Sequence, residues 1–257
     1  NGTVSMIAGS TEDESAQAGS TEDESAQAEN TEDEGAQADN TGAEGVQAGS
    51  TEVKDIASRR ALYKEALELI NLIWTYDPTN NGVKLNNVEI PYYLQRLDQK
   101  QEMRGIPYCW GGYDSLSTKS ANQDWDNYLD AISRGNIAGN VGVTSYYAPG
   151  TSGLDCSGLI STVLRLDSRK PSWYFYYNNE LVKKTKYSQL SLMDILVKNG
   201  HMMFFVDENE YGITTIETNI MGSEWKAKYF NWSWRALSDM GYSARTYQNV
   251  SSFITEE

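Results

Sequence analysis

The sequence predicts an α+β protein in which N-terminal helices pack on a central antiparallel sheet. Three observations predict it. An amphipathic stretch follows an acidic, repetitive segment. A polar collar, Asp155-Cys156-Ser157-Gly158, opens an apolar run from Leu159 to Leu166. Two short apolar runs, 201–206 and 213–217, are joined by a polar turn. Helical signals come first and strand signals last, which is the order of an α+β domain.

Charge divides the chain. Residues 1–52 hold 13 of the 36 acids and no Lys or Arg, so the rest, with 23 acids and 21 bases, is nearly neutral. Within this segment GSTEDESAQA at 9–18 is repeated identically at 19–28, and two diverged copies follow to position 48. A ten-residue period without a recurring large apolar position cannot bury enough surface to offset chain entropy. Residues 1–52 are therefore expected to be a disordered spacer, and 53–257 the folded domain. No basic patch points to nucleic acid. No apolar run approaches the ~20 residues of a membrane span.

From 53 to 74, Ile56, Tyr63, Leu67, Ile70 and Trp74 fall on one helical stripe, with Leu62, Ala66, Leu69 and Ile73 beside it. That spacing predicts an amphipathic helix ending near Asp77-Pro78, the core of a helical lead-in over 53–89. A second helix is expected over 90–103, with Pro91 in its first turn. Residues 113–153 are polar, aromatic and Gly-rich, with a helix expected only around 124–134. The run HMMFFV at 201–206 is apolar on both faces and reads as a central strand. ITTIE at 213–217 reads as the next one.

Amide-cleaving acyl transfer needs a nucleophile, a base and a group that orients the base. Cys156 at a helix start sees the positive end of the helix dipole, which favours the thiolate. A buried, inert role is the ordinary reading of a lone cysteine. The polar, Gly-containing collar weakens that reading. His201 is the only histidine in the chain, hence the only candidate imidazole base. If the turn at 207–212 is centred near Asn209, Glu217 lies opposite His201; a two-residue slip puts Asn219 there instead. In IPYCWGG at 106–112, Tyr108 and Trp110 share one face and Cys109 points to the other. Cys109 is thus expected in the core, unpaired with Cys156. One histidine and two separated cysteines are poor zinc spacing, and no metal or cofactor is expected.

Together these pieces resemble the NlpC/P60 family of papain-like cell-wall cysteine peptidases. The resemblance rests on Pro107 to Gly112, Asp155 to Gly158, Asp194-Ile195-Leu196, Gly200-His201 and Glu217, and covers about residues 90–247. It implies a papain-like fold and a Cys156-His201-Glu217 triad. It also implies a pocket lined by Tyr108, Asp155 and Ser157 for the free amino end of a peptidoglycan stem peptide. Trp110 belongs to the same substrate-binding set. The implied reaction is hydrolysis of an amide in the stem peptide, typically the D-γ-glutamyl bond to a diamino acid, by a secreted or wall-associated monomer. Competing expectations are a wall amidase or transpeptidase on the same fold, or a non-catalytic wall-binding protein. Met193 departs from the family's usual Gly before Asp194, and the stretch from Tyr113 to Leu154 is longer than usual.

Overall fold

The computed structural model describes residues 44–82, 85–142 and 146–249. The repeats up to position 43 lie outside the described residues. Helix α1, Glu44–Asn71, runs through the 52/53 boundary. Among its described side chains Ser58, Leu62, Ala66, Leu69 and Ile70 are buried, whereas Ile56 is exposed. The small residues Ser58 and Ala66 lie on this inward face. Arg59 is buried with them. Its Nη1 donates to Asp194 Oδ1 at 2.8 Å and to Leu192 O at 2.8 Å, fastening the helix to the mouth of the sheet.

The chain leaves the helix earlier than its periodicity suggests. Strand β1, Ile73–Tyr76, pairs antiparallel with β2, Gln101–Arg104. Trp74 therefore belongs to a strand, where it alternates with Tyr76 into the core, and its Nε1 donates to Gly105 O at 2.9 Å. The helix expected over 90–103 shrinks to α2, Tyr92–Gln95, with Pro91 as N-cap. Strand pairing overrides local helical preference here.

The stretch after Tyr113 folds around a buried carboxylate. Asp114 Oδ1 accepts from Ser120 N (2.7 Å) and Trp125 Nε1 (2.8 Å), and Oδ2 accepts from Ser120 Oγ (2.8 Å) and Gly153 N (3.2 Å). Helix α3, Tyr128–Ser133, follows, capped by Asn127, whose side chain accepts from Asp130 N. The short parallel pair β3, Ile137–Ala138, and β4, Thr151–Ser152, closes the stretch.

The remaining elements are α4 (Cys156–Val163), α5 (Ser172–Tyr177), β5 (Val182–Lys184), β6 (Ile195–Lys198), β7 (His201–Asn209), β8 (Gly212–Thr218), β9 (Ala227–Ser233), α6 (Trp234–Asp239) and β10 (Ser243–Tyr247). Six of the strands form one antiparallel sheet in the order β5-β10-β6-β7-β8-β9. Helix α4 packs on β7 and β8. Leu159, Ile160 and Val163 share a core cluster with Met202, Phe204 and Ile216, while Met203, Phe205 and Ile213 form a second cluster with Trp232 and Tyr242. The apolar run 201–206 is thus covered on both sides, as its composition requires. Met193 is buried in the left-handed region at φ 66°. That conformation costs about 1–2 kcal/mol for a non-glycine residue. Truncating a buried Met costs about 2–5 kcal/mol, so its packing outweighs the strain. Among the described residues no helix is long and apolar enough to cross a membrane.

Candidate active site

Helix α4 presents Cys156 as its first residue, and Asp155 is its N-cap. Asp155 Oδ1 accepts from Gly158 N at 2.7 Å and from Ser157 Oγ at 3.0 Å. Its Oδ2 accepts from Gly111 N at 3.0 Å, which ties the IPYCWGG turn to the helix start. Gly158 is required here, since a Cβ at that position would sit 2.1 Å from Gly112 O. The guanidinium of Arg169 closes over the carboxylate, with Nε at 3.1 and 3.0 Å from the two oxygens and Nη2 on Oδ2. The Cys156 amide opens the helix and so has no intrahelical acceptor.

His201 begins β7. The pairings Phe204↔Ile216 and Phe205↔Thr215, continued to the strand end, put Asn219 opposite His201. The turn is only Glu210-Tyr211, and a bulge between Phe205 and Asp207 shifts the register. The pairing expected from a turn centred on Asn209 is thus corrected by two residues. Glu217 nevertheless reaches the imidazole diagonally, with Oε2 3.3 Å from His201 Nε2. The approach lacks hydrogen-bond geometry, and it becomes an ion pair only when the imidazole is protonated: Nε2 is buried and has no hydrogen-bond partner. Asn219 instead holds Glu217, donating from Nδ2 to Oε2 at 2.8 Å. Thr215 Oγ1 (2.8 Å) and Trp232 Nε1 (2.7 Å) donate to Oε1. Glu217 is fully buried, so three donors fix a carboxylate behind the histidine.

Cys156, His201, Tyr108 and Trp110 line one open cleft of about 400 Å³, with Lys198, Asn219, Trp232 and Tyr242. Asp155 and Ser157, expected in the same pocket, are buried and do not line it. No described residue of 113–154 lines it either. The nitrogen that faces away from Glu217, His201 Nδ1, is 2.8 Å from the Tyr242 hydroxyl. A phenol donating to Nδ1 places the imidazole proton on Nε2, toward the carboxylate. Sequence reasoning missed Tyr242, Arg169 and Lys198. Tyr242 is 41 residues from His201, and only the sheet order brings β10 beside β6.

Electrostatics describe a neutral resting pair. Burial pushes the Cys156 thiol up to about 12, with Asp155 adding to the rise; the Met202 amide, Arg169 and the Ser157 amide act in the opposite direction. The expectation of a thiol lowered by the helix start is overridden by desolvation in this conformation. Burial also holds the His201 pKa below the ordinary histidine value, assisted by Lys198 and opposed by Glu217. Both cysteines are free. Cys109 is fully buried against Thr151 Oγ1 at 3.2 Å, and burial pushes its thiol up. Among the described residues no group of three or more His, Cys, Asp and Glu side chains is arranged to hold a metal ion.

No family model, curated protein or solved structure matches this chain significantly.

Proposed function

We propose that the protein is a papain-like cysteine peptidase of the NlpC/P60 type that hydrolyses an amide in peptidoglycan stem peptides. One observation carries the reading: a helix-start cysteine and the chain's only histidine share one cleft, and a fully buried carboxylate stands 3.3 Å behind the imidazole. In this reading His201 Nδ1 takes the proton of Cys156 Sγ, and the thiolate attacks the amide carbonyl. The Cys156 amide faces the developing oxyanion. As the C–N bond breaks, the imidazolium returns its proton to the leaving amine. Water then cleaves the thioester with His201 as base, releasing the carboxylic acid and the free thiol.

Glu217 stabilises the imidazolium, and Asn219 keeps Glu217 in place. Tyr242 exchanges its Nδ1 bond for the thiol as the reaction starts. The raised thiol and depressed histidine of the resting form fit this, because the ion pair forms only once Nδ1 is released. Tyr108 and Trp110 offer aromatic walls for the peptide.

Incubation with purified peptidoglycan, followed by mass spectrometry of the fragments, tests the reading. New peptide termini within the stem, absent with Cys156→Ala, are the expected result. Cleavage between sugar and peptide would make the protein an amidase. Fragments joined to an added amine acceptor would make it a transpeptidase. No fragments from folded protein would contradict enzymatic function.

A further inference from the structure

We propose that Asn199-Gly200 is a site of spontaneous modification at the lip of the cleft, where the asparagine cyclises onto the next backbone nitrogen and opens to aspartate or isoaspartate. The modification itself is independent of the hydrolase reading. Its effect on His201 rests on that reading.

Two Asn-Gly steps lie among the described residues, at 81–82 and 199–200, and the fold treats them oppositely. Asn81 is 2% exposed. Its Nδ2 donates to Ile132 O at 3.0 Å and to Asn136 O at 2.9 Å, and its Oδ1 accepts from Asp77 N at 3.1 Å. That carboxamide cannot turn toward the following nitrogen without breaking three bonds and leaving buried polar groups unpaired. Asn199 is exposed, and among the described residues its side chain has no hydrogen-bond partner. Lys198 and His201 are cross-strand partners, so Asn199 and Gly200 form the whole turn between β6 and β7. Gly200 has φ 91°, a conformation that excludes most side chains. Nothing lies within 4 Å of where its Cβ would stand. The attacking nitrogen is therefore unhindered, and both residues line the cleft with Cys156 and His201.

The Gly200 nitrogen gives its proton to solvent and bonds to Asn199 Cγ. The Cγ–Nδ2 bond breaks, and Nδ2 leaves as ammonia with a proton from water. Water then opens the imide. Breaking the bond to Cγ gives aspartate. Breaking the bond to the main-chain carbonyl carbon gives isoaspartate, whose backbone runs through Cβ and Cγ and is one atom longer. The sum is hydrolysis of a carboxamide to a carboxylate and ammonium. The imide nitrogen carries no hydrogen, so ring closure also removes the bond from Gly200 N to Ser172 Oγ, 3.0 Å long, that ties the turn to α5. Either product puts a carboxylate beside Lys198 in a cleft that no Asp or Glu lines. The isoaspartate form also inserts its extra backbone atom just before Gly200-His201, and so moves the imidazole relative to Cys156.

The test holds the full chain for days in neutral buffer at physiological temperature. Samples are peptide-mapped by mass spectrometry, with fragmentation that separates aspartate from isoaspartate. Conversion at Asn199 should run well ahead of Asn81. The kcat for peptidoglycan cleavage should fall in step with the isoaspartate fraction, the modified molecules being about 100-fold slower, the cost of an ångström of misplacement. Asn199→Gln, whose longer side chain closes the ring far more slowly, should hold its own starting activity over the same interval. Conversion at Asn81 as fast as at Asn199, or none at Asn199, overturns the inference. Conversion at Asn199 with kcat unchanged overturns the effect on His201. Fresh protein that never cleaves peptidoglycan, yet converts at Asn199, overturns the hydrolase reading alone.

Discussion

The helix side of the site and its sheet side each bury a carboxylate, and the two are used differently. Asp155 is saturated: helix-start amide, hydroxyl, loop amide and guanidinium all converge on it. It joins the IPYCWGG turn, helix α4 and the chain at Arg169 into one rigid mount for Cys156. Glu217 is held by three donors from the sheet, yet keeps an edge 3.3 Å from an imidazole nitrogen that has no hydrogen-bond partner. A carboxylate whose partners all belong to the scaffold builds the site. In the proposed reaction, the one that leaves a contact to a titrating group is the one that acts on the base.

The largest effect expected from breaking this contrast is on the helix side. Arg169→Met strands Asp155 without its counter-ion. Losing one partner of a buried pair costs about 3–5 kcal/mol; because Arg169 is 29% exposed, the low end, about 3 kcal/mol, is expected. Urea unfolding monitored by circular dichroism reads it. A loss within the error of the fit would mean that Asp155 is not a structural charge.

On the sheet side the expected loss is activity. Glu217→Gln removes the charge behind His201 and turns a donor toward Thr215, Asn219 or Trp232. Stem-peptide hydrolysis should fall about 10- to 100-fold. Asn219→Ala removes one of three donors to Glu217, so its effect should be smaller, under about 10-fold. The reverse order, with folding intact by circular dichroism, would assign the third position to Asn219.

The contrast also has a pH signature. The His201 pKa in the folded protein is depressed, so between that value and the ordinary 6.5 the unfolded chain binds a proton that the folded one does not. Stability is then full above about pH 6.5 and falls as pH drops through that value. The acid limb of kcat/KM should likewise lie below pH 6.5. Lys198→Met, which removes a charge that disfavours the imidazolium, should move the limb upward. A limb that does not move would show that Lys198 lies too far from the imidazole to act on it.

The smallest effect is expected at Tyr242. Tyr242→Phe frees Nδ1 while keeping the ring between Trp232 and Lys198. Alkylation of Cys156 near neutral pH should rise a few-fold, because one neutral hydrogen bond, about 1 kcal/mol, no longer competes. A fall would make the hydroxyl a necessary support of the imidazole.

Sequence made the helix side readable and the sheet side only partly so. A helix opening at Cys156 was legible from the polar collar and the apolar run that follows it, whereas Asp155 serves as N-cap and partner of Arg169 rather than as a wall of the pocket, and burial raises the thiol that the helix start was expected to lower. The strands at 201–206 and 213–217 were equally plain from their apolar runs. Their register was not, because a bulge after Phe205 and a two-residue turn changed the pairing by two residues, an event no alternation pattern encodes. The sequence narrowed the third position to Glu217 or Asn219 but could not show that the two act in series. Arg169 and Tyr242 were invisible because each meets the site through the fold. Gln101–Arg104 was misread for the same reason: its strand exists only by pairing with Ile73–Tyr76.

Whether His201 is the base that activates Cys156 is read by iodoacetamide labelling across pH 5–9, with peptide mapping, in the wild type and in His201→Ala. Cys156 is expected to be labelled in preference to the fully buried Cys109, and His201→Ala to slow Cys156 labelling at neutral pH by removing the group that takes its proton. Preferential labelling of Cys109, or a Cys156 rate unchanged by His201→Ala, would contradict it.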